Sequence, residues 1–182
     1  MFYFEYPTVD TTLYEGTVSS SINTGLDEIL EVDKKVNDAG TEVDVSRVLI
    51  KFSYNYISKS IQDSIIPSSA KYYLNLYDAN SSQLNISQTL YGYPVSQSWE
   101  NGSGKFLYFP TVEDGAGWKW KDNGITRTQW NTVSGSGGTW YSGSAGRLRF
   151  ASQSFDYDRY DMRMNVTEPI SILLDSSSAY PN

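Results

Sequence analysis

Val45-Ser-Arg-Val-Leu-Ile-Lys-Phe52 and Ala70-Lys-Tyr-Tyr-Leu-Asn-Leu-Tyr77 decide the fold class. In an extended chain, Val48, Ile50 and Phe52 of the first stretch share one face, and Arg47 and Lys51 the other. In the second, Ala70, Tyr72, Leu74 and Leu76 face one way, and Lys71, Tyr73, Asn75 and Tyr77 the other. Alternation with a period of two marks a strand covered on one side. Val48, Ile50, Phe52, Tyr72, Leu74 and Leu76 are therefore expected to be buried between two sheets.

Further strands are expected on either side. Asp10-Thr-Thr-Leu-Tyr14 is extended and stopped by Glu15-Gly16. Glu28 to Asp33, Leu84 to Val95 with bends at Gly92 and Pro94, Gly146 to Ala151 and Asp161 to Val166 also read as strands, and Ile170 to Leu174 is a last apolar run. Tyr54 to Ile66 is the one helical candidate: Ile57, Ile61 and Ile65 recur at helical spacing and Pro67 closes the run. From Ser98 to Ser144, glycines, charges and Trp99, Trp118, Trp120, Trp130 and Trp140 follow no period. This region reads as long loops pinned by indoles. The expected fold is an all-β antiparallel β-sandwich (jelly roll) with long tryptophan-pinned loops and at most one short helix. Residues 1–9 are an N-terminal arm or edge strand, and 10–182 a single domain.

Composition narrows the chemistry. The 182 residues include 15 Tyr, 7 Phe and 5 Trp, which suit half-buried sheet surfaces. There is no cysteine and no histidine, which excludes disulfides, thiol catalysis, the Ser-His-Asp triad and histidine-based metal sites. A formal charge of −7 argues against nucleic acid as a partner. Neither a phosphate-binding G-x-x-x-x-G-K nor a dinucleotide-binding G-x-G-x-x-G occurs. Met1 to Tyr6 lacks the basic and apolar regions of a signal peptide, and no run is long enough to span a membrane. No membrane partner is expected. The sequons at Asn80, Asn85, Asn101 and Asn165 are those that an Asn- and Ser-rich chain produces by chance.

Ser46-Arg-Val-Leu-Ile-Lys-Phe52 followed by Ser69-Ala-Lys-Tyr-Tyr-Leu-Asn-Leu-Tyr77 resembles the paired strands of DNRLRE-type jelly-roll domains. Asp10-Thr-Thr-Leu-Tyr-Glu-Gly16 with Asn23-Thr-Gly25 resembles the opening strand and Asn-x-Gly loop of that family. Val95-Ser-Gln-Ser-Trp99, Trp130-Asn131 and Thr139-Trp140 resemble its tryptophan-punctuated middle. Asp114-Gly-Ala-Gly-Trp118 resembles an element of tailed-bacteriophage virion proteins, particularly those of marine hosts. The arginine-rich motif that names the family is absent, and the chain ends soon after Asn165-Val-Thr-Glu-Pro169, where relatives continue with further strands. The resemblance implies a non-enzymatic virion structural protein: a decoration or accessory module on capsid, neck or tail, assembled in a bacterial cytoplasm in multiple copies. Its partners would be other virion proteins or copies of itself. The alternative is a carbohydrate-binding adhesin module, from a tail fibre or a bacterial surface, which would take a host-surface glycan.

Candidate site residues fall into four groups. Asp156, Asp158 and Asp161 have the spacing to offer carboxylates to Ca²⁺, the one cofactor considered; they equally suit a solvated loop paired with Arg159 and Arg163. Tyr73 and Tyr77 lie on the polar face of their strand, and Tyr91 and Tyr93 continue such a face. Outward aromatics stack on sugars or anchor protein contacts. Phe2, Tyr3 and Phe4 belong to an aromatic end segment, and at least one of this segment and the run Ile170 to Leu174 is expected to dock on another chain. Glu100, Glu113 and Asp114 are the paired carboxylates available for hydrolysis, but with no histidine no catalytic residue is assigned.

Overall fold

The computed structural model describes residues 2–16, 19–79, 87–131, 137–141, 150–156 and 161–175. In chain order the elements are β1 (Val9–Tyr14), β2 (Lys34–Val36), β3 (Glu42–Lys51), α1 (Tyr54–Gln62), β4 (Tyr73–Leu76), β5 (Gln88–Gly92), β6 (Trp120–Asp122), β7 (Thr128–Gln129), β8 (Ala151–Phe155), β9 (Met162–Asn165) and α2 (Thr167–Asp175). The fold is thus mostly strand. The sheets are small and antiparallel: β1-β3-β2, β4-β9, β5-β8 and β6-β7. The sequence places its boundary at residue 9. The structure has two compact units, each made of two separate stretches: Met1–Ser53 with Gln97–Thr139, and Tyr54–Ser96 with Trp140–Asn182.

In the first unit β3 is the central strand, with β1 beside Ser46 to Lys51 and β2 beside its first half. Thr11, Thr12 and Leu13 are all buried, so β1 is covered on both faces. Thr24 covers its outer edge: the Thr12 amide donates to Thr24 Oγ1 at 2.9 Å, and that hydroxyl donates to the Thr12 carbonyl at 2.7 Å. Both main-chain groups of Thr12 are thereby taken, which protects an edge that would otherwise attract another strand.

The expected covered face of β3 is corrected. Val48, Ile50 and Phe52 are half-buried, while Leu49, opposite Thr11, is the buried apolar residue of the strand. The reason is Arg47. Its guanidinium lies 4.7 Å from the centre of the Trp118 ring and donates to the Gly137 carbonyl at 3.0 Å. A charged residue with a long apolar stem thus sits under an indole, and its face of the strand is covered as well. The strand expected over Glu28 to Asp33 is displaced to β2. There the amides of Glu31 and Asp33 donate to hydroxyls, Thr12 Oγ1 at 3.1 Å and Ser46 Oγ at 2.6 Å, instead of to a neighbouring strand's carbonyls.

In the second unit, Ala151, Phe155, Met162 and Met164 form the core, with Leu74, Leu76, Leu90 and Val166 packed on it. Tyr72, Leu74 and Leu76 are half-buried, short of the burial between two sheets expected for them, while Lys71, Tyr73, Asn75 and Tyr77 are exposed, so the alternation of the two faces is kept. The expected helix is α1. It ends before Pro67, at a left-handed Ser64 (φ 58°): Ser64 N bonds Ile61 O at 3.0 Å and Ile65 N bonds Ser60 O at 2.9 Å, the Schellman pattern. The expectation of at most one helix is corrected by α2, which contains Ile170 to Leu174. Asn165 Oδ1 accepts the Thr167 amide at 3.1 Å, and Pro169 lies in the first turn, where its missing N–H costs nothing. Within this helix Ile172 is buried against its own chain.

Candidate functional site

Three short loops of the first unit meet around Asn23, whose side chain is wholly buried. Its Nδ2 donates to the carbonyls of Asn101 at 2.6 Å and Ala116 at 3.1 Å. Its Oδ1 accepts the amides of Gly104 at 2.8 Å and Gly25 at 3.2 Å. An amide side chain offers two donor hydrogens and two acceptor lone pairs, and all four are used here. Asn101 answers by donating from Nδ2 to the Gly25 carbonyl at 2.7 Å. Asp114 closes the group by accepting from the amide and hydroxyl of Ser103 at 2.9 and 2.6 Å.

The glycines of these loops are set by the close approach. Gly102 has φ +77°, and a Cβ there would lie 2.5 Å from Asn23 Cγ. Gly115 has φ +67° and abuts the backbone of Gly102. Asn23-Thr-Gly25, Asn101-Gly-Ser-Gly104 and Asp114-Gly-Ala-Gly-Trp118 are therefore one polar knot, though they lie far apart in sequence. Among the described residues, Asn101 Oδ1, both amide atoms of Asn123 and Thr139 Oγ1 are buried without a partner in the protein, which makes them costly polar atoms of this unit. Trp99, Trp118 and Trp130 are buried. Trp130 Nε1 donates to the Gly117 carbonyl at 3.0 Å, so indoles hold these loops as the sequence suggested. Trp120 and Trp140 are only half-buried.

Out of this knot projects Lys105-Phe-Leu-Tyr-Phe-Pro110, a loop that sequence reading did not single out. Its base is fixed. Leu26 N donates to the Gly104 carbonyl at 2.9 Å, Phe106 N to the Asp27 carboxylate at 3.1 Å, and Lys105 Nζ lies 3.0 Å from Glu28 Oε1. The Phe106 ring rests on Tyr14, with centroids 4.9 Å apart. Beyond that base the tip is bare: Leu107 is 89% and Phe109 98% exposed. The signal available was four successive apolar residues between Gly104 and Pro110, in a region with no strand period to bury them.

The arm is bare too. Phe2, Phe4 and Tyr6 are more than three-quarters exposed and Tyr3 about half, and residues 2–7 join no strand. Phe2 and Phe4 do not fold back as an edge strand of this chain. Tyr73 is partly exposed beneath the guanidinium of Arg163, 4.8 Å from the ring centre, and Tyr77 is open to solvent. Asp156 and Asp161 are exposed. Asp161 Oδ1 accepts the Asp78 amide at 3.2 Å, and Asp158 lies outside the described residues. Among the described residues, no three His, Cys, Asp or Glu side chains are grouped to hold a metal ion. Glu113 accepts from Ser21 Oγ at 3.1 Å, and Asp114 is committed to Ser103.

A shallow cleft on the first unit is lined by Tyr14, Glu31, Asp33, Lys35, Asp44 and Ser46. Lys35 Nζ already lies 3.4 Å from Asp44 and 3.7 Å from Asp33. Tyr14 donates to Glu31 Oε2 at 2.8 Å. Burial first, and then the Glu31 carboxylate, hold its phenol well above the usual tyrosine range. Each member of the cleft thus has a partner within the unit. Among the described residues no helix is long and apolar enough to cross a membrane. No family model, no curated protein and no solved structure matches the chain.

Proposed function

We propose that the protein is a non-enzymatic structural module of a tailed-phage virion, a decoration or accessory protein of capsid, neck or tail that joins its assembly through apolar contacts of the first unit. The observation that carries the reading is the Phe106 to Phe109 loop: a bare Leu107 and Phe109 on a base fixed by Asp27, Glu28 and Tyr14. Exposed Leu and Phe on a rigid base bury large apolar area with little loss of entropy when a partner closes over them. The exposed arm at Phe2, Tyr3, Phe4 and Tyr6 adds to the same requirement. The virion itself comes into the proposal from the resemblance of the Asp114 to Trp118 stretch to phage virion proteins, and the jelly-roll topology belongs to the proposal through the resemblance to DNRLRE-type domains. Absence of histidine and cysteine from the sequence supports the non-enzymatic part. The test is density-gradient fractionation of lysates from infected cells, probed with an antibody to this chain. The expected result is co-banding with intact particles in a fixed copy number per particle. Recovery only with unassembled protein contradicts the proposal.

A further inference from the structure

The β5–β8 pair of the second unit presents a second exposed surface of different chemistry. Its register sets Thr89 opposite Ser154, Tyr91 opposite Ser152 and Gly92 opposite Ala151. Strand alternation turns Leu90, Ala151 and Phe155 to the core. Thr89, Tyr91, Ser152 and Ser154 are left on the outer face, all exposed, with Thr89 Oγ1 and Ser154 Oγ 2.9 Å apart.

At the end of this ladder four rings run in contact. Tyr91 meets Phe150 at 5.3 Å between centroids, Phe150 meets Tyr93 at 5.5 Å, and Tyr93 meets Trp140 at 5.8 Å. Tyr91 is 56% and Phe150 36% exposed. Backbone contacts fix the inner end of the row: Val95 bridges Trp140, and Tyr141 N donates to the Pro94 carbonyl at 2.8 Å.

The chemistry of this face selects a class of ligand. Gln88 to Val95, Trp140 to Tyr141 and Phe150 to Phe155 contain no charged residue. An anionic ligand, whether nucleic acid or acidic polysaccharide, finds no cation among them. What they offer is a row of aromatic faces bordered by Thr, Ser and Tyr hydroxyls. A neutral sugar matches both: its C–H face stacks on a ring, and its hydroxyls exchange hydrogen bonds with side-chain hydroxyls. The tip of the Phe106 loop, by contrast, presents Leu107 and Phe109 with the single phenol of Tyr108 between them, and the Lys105–Glu28 ion pair stands at its base, which suits a protein. A contiguous row of four rings also suits a chain of sugars more than a single one.

We infer that the outer face of β5–β8, with Tyr91, Phe150, Tyr93 and Trp140 as its stacking row, is a binding site for a neutral polysaccharide. The site is independent of the assembly surface, since it uses other residues of the other unit. The test is affinity electrophoresis of the full chain in gels containing soluble glucan, galactan, mannan or N-acetylglucosamine polymers, with alginate as the acidic control. The expected result is retardation by at least one neutral polymer and none by alginate. Tyr91→Ala should weaken that binding about tenfold or more, as loss of an aromatic anchor does. Ile125→Ala, at a fully exposed apolar residue of the first unit, should leave it unchanged. Tyr91 is on the surface, so its variant tests the site even where Tyr93→Ala or Trp140→Ala fails to fold. No retardation by any neutral polymer, retardation by alginate alone, or binding that Tyr91→Ala leaves intact overturns the inference. None of these outcomes bears on particle assembly.

Discussion

Two residues show how polar groups hold the first unit. Asn23 makes four side-chain hydrogen bonds at zero exposure, joining loops that share no strand. Asn23→Ala removes all four and leaves the Asn101 and Ala116 carbonyls and the Gly25 and Gly104 amides to find other partners. The expected cost is about 3 kcal/mol or more, since buried polar groups left unpaired cost ~1–3 kcal/mol each and water re-enters only in part; the midpoint of denaturant unfolding measures it. Tyr14 gives a pH signature. Its folded-state pKa is raised above the ordinary value of 10.0, chiefly by burial. Its stabilising contribution is complete below pH 10.0 and is lost as pH rises from there towards the folded-state value, because the unfolded chain ionises first. Melting curves of wild type should fall more steeply between about pH 10 and 11 than those of Tyr14→Phe, which has no phenol to ionise. Equal slopes would show that the burial of Tyr14 is not coupled to folding.

At the scale of elements, the ends of the helices are the informative places. Ser64 closes α1 in a left-handed conformation that glycine adopts freely and other residues adopt at a cost of ~1–2 kcal/mol. Ser64→Gly should therefore stabilise the protein by about 1 kcal/mol, seen as a rise in melting temperature; a fall would mean that the serine side chain has a role of its own. The helix itself was legible because Ile57 and Ile61 recur at its period. For α2, Asn165-Val-Thr-Glu168 has the N-cap and third-position Glu of a helix start, yet its short apolar run reads equally well as a strand, and periodicity alone cannot separate the two. β4 is legible in its two faces but not in its length: Tyr72, Leu74 and Leu76 alternate with residues that stay in water, while the strand itself covers only Tyr73–Leu76 of the expected Ala70 to Tyr77. β3 was legible as a strand but not in its covered face. Charge at Arg47 argues for solvent, and only the Trp118 ring, distant in sequence, reverses that. The polar knot was visible only as separate Asn-x-Gly and Asp-Gly stretches; that one asparagine joins them depends on contacts across some eighty residues. The Phe106 loop was passed over because its apolar residues follow no period.

The whole molecule carries a formal charge of −7. The first unit exposes Phe2, Tyr3, Phe4 and Tyr6 on the arm and Leu107, Tyr108 and Phe109 on the loop, and the second exposes Tyr91 and Phe150 beside the hydroxyls of β5–β8. An acidic net charge resists non-specific attachment to nucleic acid, and under the proposed assembly role these apolar places are the contacts. The central claim is that the bare tip of the Phe106 loop is an assembly contact. Leu107 and Phe109 are exposed and make no contribution to the knot beneath them, so Leu107→Asp with Phe109→Asp should change stability by no more than about 0.5 kcal/mol. The deciding measurement is a competition: tagged wild type and the tagged double variant are expressed at equal levels during particle production, and the copies incorporated into gradient-purified particles are counted by quantitative mass spectrometry. The account predicts that the variant melts with wild type but is incorporated at less than a tenth of its level, the effect of losing about 1.4 kcal/mol or more at a single contact. Equal incorporation of a folded variant would contradict it.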